Sequence, residues 1–246
     1  MEEEQSLECY PMTKEKSGNV YVFSHSTFDN PSLSPKYNVS IDCKQIEETF
    51  KTFNFDVIIY HDLTYAEIQK ELSKIAEMDY TNFDCLVICV LSYGKHGKIF
   101  AKDVDYHPDV YWKMLNEKNS SFLSKPKFIF VHASRGDELE EEKMSEVTET
   151  FPIPQVPDIL LVYSSYDRYS WDGTSSGSWI VSHLCRTLNN HANKSNILSL
   201  ITRFNRNKEA CQKLSSQPNK LVMVQKDVWT VFNTLTRSLF FKTGNK

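Results

Sequence analysis

Two short segments carry the residue types most able to do chemistry. Leu-Ser-Tyr-Gly occupies residues 91–94, and His-Ala-Ser-Arg-Gly occupies residues 132–136. Each follows an apolar stretch, residues 85–91 and 128–131, that is typical of a strand buried on both faces. Because sites in an open α/β sheet form at the carboxyl ends of such strands, we expect the two segments to share one edge.

A serine hydrolase is the first chemistry to weigh, because Ser134 has His132 two residues before it and a second histidine follows Tyr93 by three residues. A serine attacks only when a base takes its proton. Along a strand, side chains at i and i+2 lie roughly 7 Å apart, beyond the ~3 Å of a nucleophile–base hydrogen bond. An unorthodox hydrolase is therefore only a remote alternative.

The elements that must position these residues alternate between strand and helix. Strands are predicted at residues 20–23, 55–60, 85–91, 128–131 and 159–163, and residues 228–241 form a β-rich end that would pair antiparallel at an edge. Helices are predicted after an Asp42 cap, after a Thr64–Glu67 capping box, after residue 108, and at 180–188 and 197–204. This order predicts an α/β fold with helices on both faces of a sheet.

Composition excludes several classes of function. The chain has 246 residues, 40% of them hydrophobic, and a net charge of −4. These values argue against disorder and against a general nucleic-acid binder, and no apolar stretch approaches the ~20 residues of a membrane span. The six cysteines include no Cys-x-x-Cys pair, so neither a metal nor a cofactor is expected. Without a secretory signal, the expected location is the cytoplasm.

Both segments resemble motifs of the caspase family. His-Ala-Ser-Arg-Gly is similar to the nucleophile motif Gln-Ala-Cys-Arg-Gly, and Leu-Ser-Tyr-Gly to the Leu-Ser-His-Gly that carries the catalytic histidine. Tyr93 and Ser134 are 41 residues apart, close to the roughly 50 of caspases. Further similar segments follow in order at residues 41–50, 61–64, 125–128, 163–165, 169–171, 177–179 and 234–241.

The resemblance implies a caspase-like fold with about six mostly parallel strands. It also implies a domain organisation. Residues 1–18 would be a flexible N-terminus, and 19–136 a part like the caspase large subunit. Residues 137–157 would be an acidic, proline-rich linker, and 158–246 a part like the small subunit that carries a dimerisation strand.

The catalytic residues of the family are replaced here. Ser134 stands in place of the cysteine and Tyr93 in place of the histidine, whereas Gly94 is retained. A phenol with a pKa near ~10 is protonated at neutral pH and is a poor base. In the pocket that holds a substrate aspartate, Lys36 replaces one arginine, His132 the glutamine and Asp172 the second arginine. The resemblance therefore predicts a catalytically inactive caspase homologue with degenerate catalytic positions and a degenerate substrate pocket.

Caspases resemble one another in pairing through their last strand, which here predicts a dimer interface. Its residues are Val228, Thr230, Phe232, Asn233, Thr234, Leu235 and Thr236. The leading hypothesis is a heterodimer with an active caspase that modulates its proteolytic activity in apoptosis, with activation favoured over inhibition. The alternative is a homodimeric adaptor or decoy that binds other apoptotic proteins. No nucleic acid, membrane or metal partner is expected.

Overall fold

The computed structural model describes residues 8–36, 38–95, 97–115, 119–134, 154, 156–164, 177–206 and 229–243. Its strands are β1 (Lys16–Ser24), β2 (Phe55–His61), β3 (Phe83–Lys95), β4 (Lys98–Phe100), β5 (Asp105–Tyr106), β6 (Lys127–Ser134), β7 (Ile159–Tyr163) and β8 (Thr230–Asn233). Its helices are α1 (Val39–Thr52), α2 (Tyr65–Glu77), α3 (Val110–Lys113), α4 (Trp179–His191) and α5 (Ile197–Arg206), with one 3-10 turn at Ser120–Phe122.

The central sheet has the order β2-β1-β3-β6-β7-β8. The first five strands pair in parallel, and β8 pairs antiparallel with β7. A small antiparallel ribbon of β4 and β5 extends from the end of β3. The predicted α/β fold with a mostly parallel sheet of about six strands is therefore confirmed.

Each face of the sheet has its own apolar core, because the central strands carry apolar side chains on both sides of the sheet. On β3, Cys85, Val87 and Cys89 face one core, whereas Leu86 and Ile88 face the other. We call the first face, covered by α1, α4 and α5, the α1 face, and the second, covered by α2 and α3, the α2 face. In the described residues, no helix is long and apolar enough to cross a membrane.

The predicted start of α2 is confirmed and that of α1 is not. Thr64 and Glu67 form the capping box in front of α2. Helix α1 begins at Val39 rather than after Asp42, and Asp42 lies buried in its first turn. A local sequence match to a cap does not distinguish a carboxylate that caps its own helix from one that binds a distant segment.

The N-terminal segment is more ordered than its composition predicts. Residues 1–7 lie outside the described part, but Tyr10 is only 4% exposed, and β1 already begins at Lys16. The Tyr10 hydroxyl donates to the Asp158 carboxylate at 2.6 Å and accepts the backbone N–H of Thr236 at 2.9 Å. The expected flexibility of residues 1–18 therefore does not extend to residue 8 onward, because one buried aromatic joins them to the C-terminal segment.

The C-terminal β-rich segment forms a shorter strand than predicted. Strand β8 has four residues, after which the chain leaves the sheet. The Thr234 hydroxyl donates to the carbonyl of Val156 at 2.8 Å, and Phe241 packs against Phe50 and Phe55 on the α1 face. Side-chain hydrogen bonds and core packing thus replace a longer ladder.

Candidate functional site

The two degenerate catalytic positions are neighbours at the carboxyl end of the sheet. Tyr93 of β3 and Ser134 of β6 are register partners on adjacent parallel strands. Gly94 follows, where a Cβ atom would lie 2.9 Å from that of Ala133. The close approach of β3 and β6 therefore requires a glycine at this position. The prediction that the two motifs meet at one edge of the sheet is confirmed for their backbones.

The Tyr93 side chain is packed into the site rather than presented to solvent. Its exposed fraction is 9%, and its ring lies 5.2 Å from that of Phe28. The ammonium of Lys36 lies 4.2 Å from the Tyr93 ring centroid and donates to the carbonyl of Ser92 at 2.6 Å. Lys36 therefore turns inward, onto the tyrosine that stands where the resemblance expects a histidine.

Burial perturbs the charge of Lys36. Its side chain is enclosed, and desolvation lowers the pKa of its ammonium to about 7, opposed by the attraction of Asp42. Burial likewise raises the pKa of Asp42 to about 6, against a hydrogen bond from the Ser178 amide. Lys36 and Asp42 are thus an interior pair of opposite charges, each destabilised by the loss of water.

Asp42 also joins the two halves of the sequence. Its Oδ1 accepts the backbone N–H of Ser178 at 2.7 Å. Gly177 precedes it with φ +84°, and a Cβ atom there would lie 2.6 Å from the same carboxylate oxygen. The start of α4 is thereby held against α1, next to residues 165–176, which lie outside the described part.

His132 lies in the same site but is engaged elsewhere. Its Nδ1 hydrogen-bonds the Ser164 hydroxyl at 2.6 Å, and Ser164 has no exposed surface. Burial and the Lys36 charge lower the pKa of His132 to about 3. The imidazole is therefore a weak base, bonded to a serine that no peptide reaches, which argues against the hydrolase alternative.

Sequence reasoning missed a second buried histidine at this edge. His25 directly follows β1 and is 1% exposed, and among the described residues its two ring nitrogens have no hydrogen-bond partner. Desolvation lowers its pKa to about 4, with the Lys36 charge adding to the effect and Asp62 opposing it. The one available signal was its position at the carboxyl end of a predicted strand. Among the described residues, no three His, Cys, Asp or Glu side chains group closely enough to hold a metal ion.

The remaining predicted site residues lie apart from this cluster. Asp172 and Val228 are outside the described residues. Phe232 lies in β8, and its ring packs edge-on against Tyr163 at 6.2 Å on the α2 face. Leu235 packs on the α1 face, and the Thr236 hydroxyl donates to Asp158 at 2.6 Å.

These contacts change which part of the predicted interface is available. Thr234 and Leu235 are half-buried against their own chain, whereas Asn233 and Thr236 are exposed, although the Thr236 hydroxyl is bound to Asp158. The interface itself stays a prediction, centred on β8.

Comparison with known proteins identifies the class of this fold and site. A family model described as the caspase domain matches residues 17–240. The chain is 34% identical to Caspase-1 of Spodoptera frugiperda over 242 residues, which cover 94% of this chain and 81% of that protein. It is 31% identical to Caspase-1 of Drosophila melanogaster, over 96% of this chain and 78% of that protein.

The structural comparison agrees. The crystal structure of Caspase-1 from Spodoptera frugiperda superposes with a TM-score of 0.82 at 32% identity, covering 98% of this chain and 96% of the other. The chain therefore belongs to the caspase family.

Proposed function

We propose that this chain is a non-catalytic member of the caspase family that pairs through β8 with an active caspase and changes its proteolytic activity in apoptosis. Activation is favoured over inhibition. The relatives named as caspases support the family context. The proposal has two parts, the loss of chemistry at the carboxyl edge and the pairing at β8, and different residues support each part.

The observation that carries the first part is the packing of Tyr93 and Lys36. A caspase-type site needs an imidazole to manage protons and a cation that reaches a substrate carboxylate. Here the first position holds a buried phenol, and the cation at the second is bound to the Ser92 carbonyl. Neither group is free for its former task. With Ser134 in place of the thiol, no nucleophile–base pair is formed by the residues at these positions.

The second part rests on the edge of the sheet. Strand β8 ends the strand order, and no described strand pairs with its outer side. The Thr234 N–H donates to the Ile159 carbonyl at 2.9 Å. In an antiparallel pair, every second residue directs its N–H and C=O groups to the neighbouring strand, so those of Phe232 also face β7. The N–H and C=O groups of Val231 and Asn233 therefore point away from the chain, as an edge strand offers them to a partner.

The test measures mass and rate together. The protein is mixed with purified active caspases, and complex formation is followed by light scattering beside the rate of peptide cleavage. A complex with an altered rate supports the proposal, whereas a homodimer that never binds a caspase supports the adaptor alternative.

The sharpest variant is Asn233→Pro, with Asn233→Ala as its matched control. Proline removes the outward N–H without touching the β7 ladder, whereas alanine keeps that N–H, and both lose the Asn233 hydrogen bond to the Leu235 amide. Only Asn233→Pro should fail to bind the active caspase. In its presence, the rate of peptide cleavage should equal that of the active caspase alone. Phe232→Asp is a poorer test, because Phe232 packs within its own chain and the charge would also destabilise the fold. If folded Asn233→Pro still alters the rate, pairing through β8 is refuted.

A further inference from the structure

The edge strand β8 depends on its flanking residues for its position. It has only four residues, and none of them is buried. Among the described strands, β7 is its one neighbour in the sheet. An antiparallel pair of this length contributes little stability by itself. The contacts at the two ends of β8 therefore decide how firmly its outward N–H and C=O groups are held in place.

Helix α5 holds the amino end of β8 through Trp229, the residue before the strand. The Trp229 N–H donates to the side-chain oxygen of Asn205 at 2.9 Å, and the Trp229 ring stacks on that of Phe204 at 3.7 Å. Phe204 is 1% exposed, so this end of β8 is anchored in the core of the α1 face.

The N-terminal segment holds the other end of β8, and we call its residues 8–10 the N-terminal strap. The N–H of Thr236, three residues beyond β8, donates to the Tyr10 hydroxyl oxygen at 2.9 Å. Two backbone hydrogen bonds continue the contact. The Ser238 N–H donates to the Glu8 carbonyl at 2.8 Å, and the Tyr10 N–H donates to the Ser238 carbonyl at 3.0 Å. The N–H groups of Thr236 and Ser238 thus both have their acceptors in the strap.

A carboxylate at the start of β7 fixes the strap in turn. Asp158 directly precedes β7 and is 4% exposed, and its Oδ1 accepts the hydroxyls of Tyr10 and Thr236, each at 2.6 Å. Hydrogen bonds to a carboxylate are stronger than those between neutral groups. Burial and this hydrogen bond raise the pKa of Tyr10, so its hydroxyl remains a donor. One hydroxyl group therefore joins the N-terminal segment, the start of β7 and the residues after β8.

We propose that the N-terminal strap positions β8 for pairing, so that attachment of the strap and binding of a partner at β8 strengthen each other. The inference rests on the proposed pairing and adds its regulation. Release of the strap leaves β8 anchored only at Trp229, and the outward groups of Val231 and Asn233 lose their preorganisation for a partner strand. Because such coupling is reciprocal, a bound partner must hold the strap in place by the same factor.

Tyr10→Phe tests the strap, because it removes the hydroxyl and keeps the ring. Tyr106→Phe is the matched control, since it removes from β5 a buried hydroxyl that is bonded to that of Tyr111 at 2.7 Å on the α2 face. Amide hydrogen exchange is followed residue by residue in both variants by NMR. The amides of Thr236 and Ser238 should exchange about ten-fold faster in Tyr10→Phe than in Tyr106→Phe.

The affinity for a purified active caspase is measured with the same two variants. Tyr10→Phe should bind at least about five-fold more weakly than the wild type, whereas Tyr106→Phe should bind with the affinity of the wild type. In the wild type, the bound caspase should slow the exchange of the Ser238 amide by a similar factor, because the partner and the strap stabilise the same state of β8.

Failure of this inference can be distinguished from failure of the proposed function. If the wild type binds no caspase, the proposed pairing fails, whereas the exchange rates in Tyr10→Phe still show whether the strap holds the carboxyl end of β8. Unchanged exchange at Thr236 and Ser238 would overturn the role of the strap. Faster exchange with an unchanged affinity for the caspase would overturn its link to pairing.

Discussion

The ammonium of Lys36 lies 4.2 Å from the centroid of the Tyr93 ring. The resemblance to caspase motifs implies an arginine and a histidine that act on the substrate at these two positions, whereas here Lys36 and Tyr93 contact each other. A cation over a desolvated aromatic ring gains up to about 2 kcal/mol. Lys36 and Tyr93 are therefore coupled. Changing either one back to the residue that the resemblance implies removes the contact of the other.

A double-mutant cycle measures this unit directly. Tyr93→Leu removes the ring and Lys36→Met removes the charge. We expect the double variant to be more stable than the sum of the single effects predicts, by about 0.5 to 2 kcal/mol, in urea unfolding. The control pairs Lys36→Met with Phe122→Leu on the α2 face, where the effects should add. An additive result for Tyr93 and Lys36 would contradict the contact.

The stability of the fold should depend on pH through Lys36. Its pKa is about 7 in the folded protein and near ~10.4 in the unfolded chain. Between these values the unfolded chain binds the extra proton, so the free energy of unfolding rises with pH, by up to about 1.4 kcal/mol per pH unit. The rise ends above the unfolded pKa and is absent below the folded one.

The matched experiment compares urea unfolding of the wild type and Lys36→Met from pH 6.5 to 9.5. As pH rises, the free energy of unfolding of the wild type should increase relative to that of Lys36→Met. Lys44→Met is the control, because Lys44 is exposed on α1 and should give a flat difference. If the difference between the wild type and Lys36→Met is also independent of pH, the Lys36 ammonium of the wild type remains charged in the folded protein.

The sequence predicted the strands and most helices because their apolar periodicity is local. Residues 85–91 and 128–131 are short apolar runs without interruption, which is the pattern of a strand covered on both faces. Because the two motifs directly follow these strands, they were expected at the same edge of the sheet, and the structure pairs Tyr93 with Ser134 there. The positions of the two chemically suggestive motifs could therefore be predicted.

What the sequence did not reveal depends on contacts between distant segments. Asp42 has the local signature of a cap, but its partner is the Ser178 amide, 136 residues away. Tyr10 lies in a polar segment, and its burial depends on Asp158, 148 residues away. The burial of His25, whose ring nitrogens have no hydrogen-bond partner among the described residues, likewise follows from no pattern in its neighbours along the chain. Such pairings arise from the tertiary fold and leave no periodicity.

The linker should resist processing by an active caspase. Asp137, the first residue of the linker, directly follows the nucleophile-like motif, where access for a protease should be poor, and residues 138–157 contain glutamates but no aspartate. The next aspartate, Asp158, is 4% exposed and holds the hydroxyls of Tyr10 and Thr236, so a protease cannot reach it in the folded chain. Incubation with an active caspase should leave one polypeptide on a denaturing gel. Efficient conversion to two fragments with a cut near residues 138–158 would contradict this expectation.

The last prediction concerns catalysis itself. The protein should cleave no aspartate-directed peptide and bind no aspartyl-aldehyde inhibitor, because Tyr93 is a packed phenol and the Lys36 ammonium is bound to the Ser92 carbonyl. Ser134→Cys alone should also be inactive, since a thiol without an imidazole and an anion-binding pocket lacks both activation and substrate. Activity requires Tyr93→His in addition, and Asp172→Arg to remove a repelling charge.

The measurement is the initial rate of peptide cleavage by the wild type, by Ser134→Cys and by the triple variant, with Ser134→Ala as the blank. Melting curves confirm that each variant is folded, which matters most for Tyr93→His because it removes the ring beneath Lys36. Wild-type turnover that disappears in Ser134→Ala would refute the non-catalytic assignment. Turnover by Ser134→Cys alone would show that a group other than Tyr93 serves as the base. His25, buried at the same edge with no hydrogen-bond partner in the part of the chain that the structure describes, would be the first residue to replace.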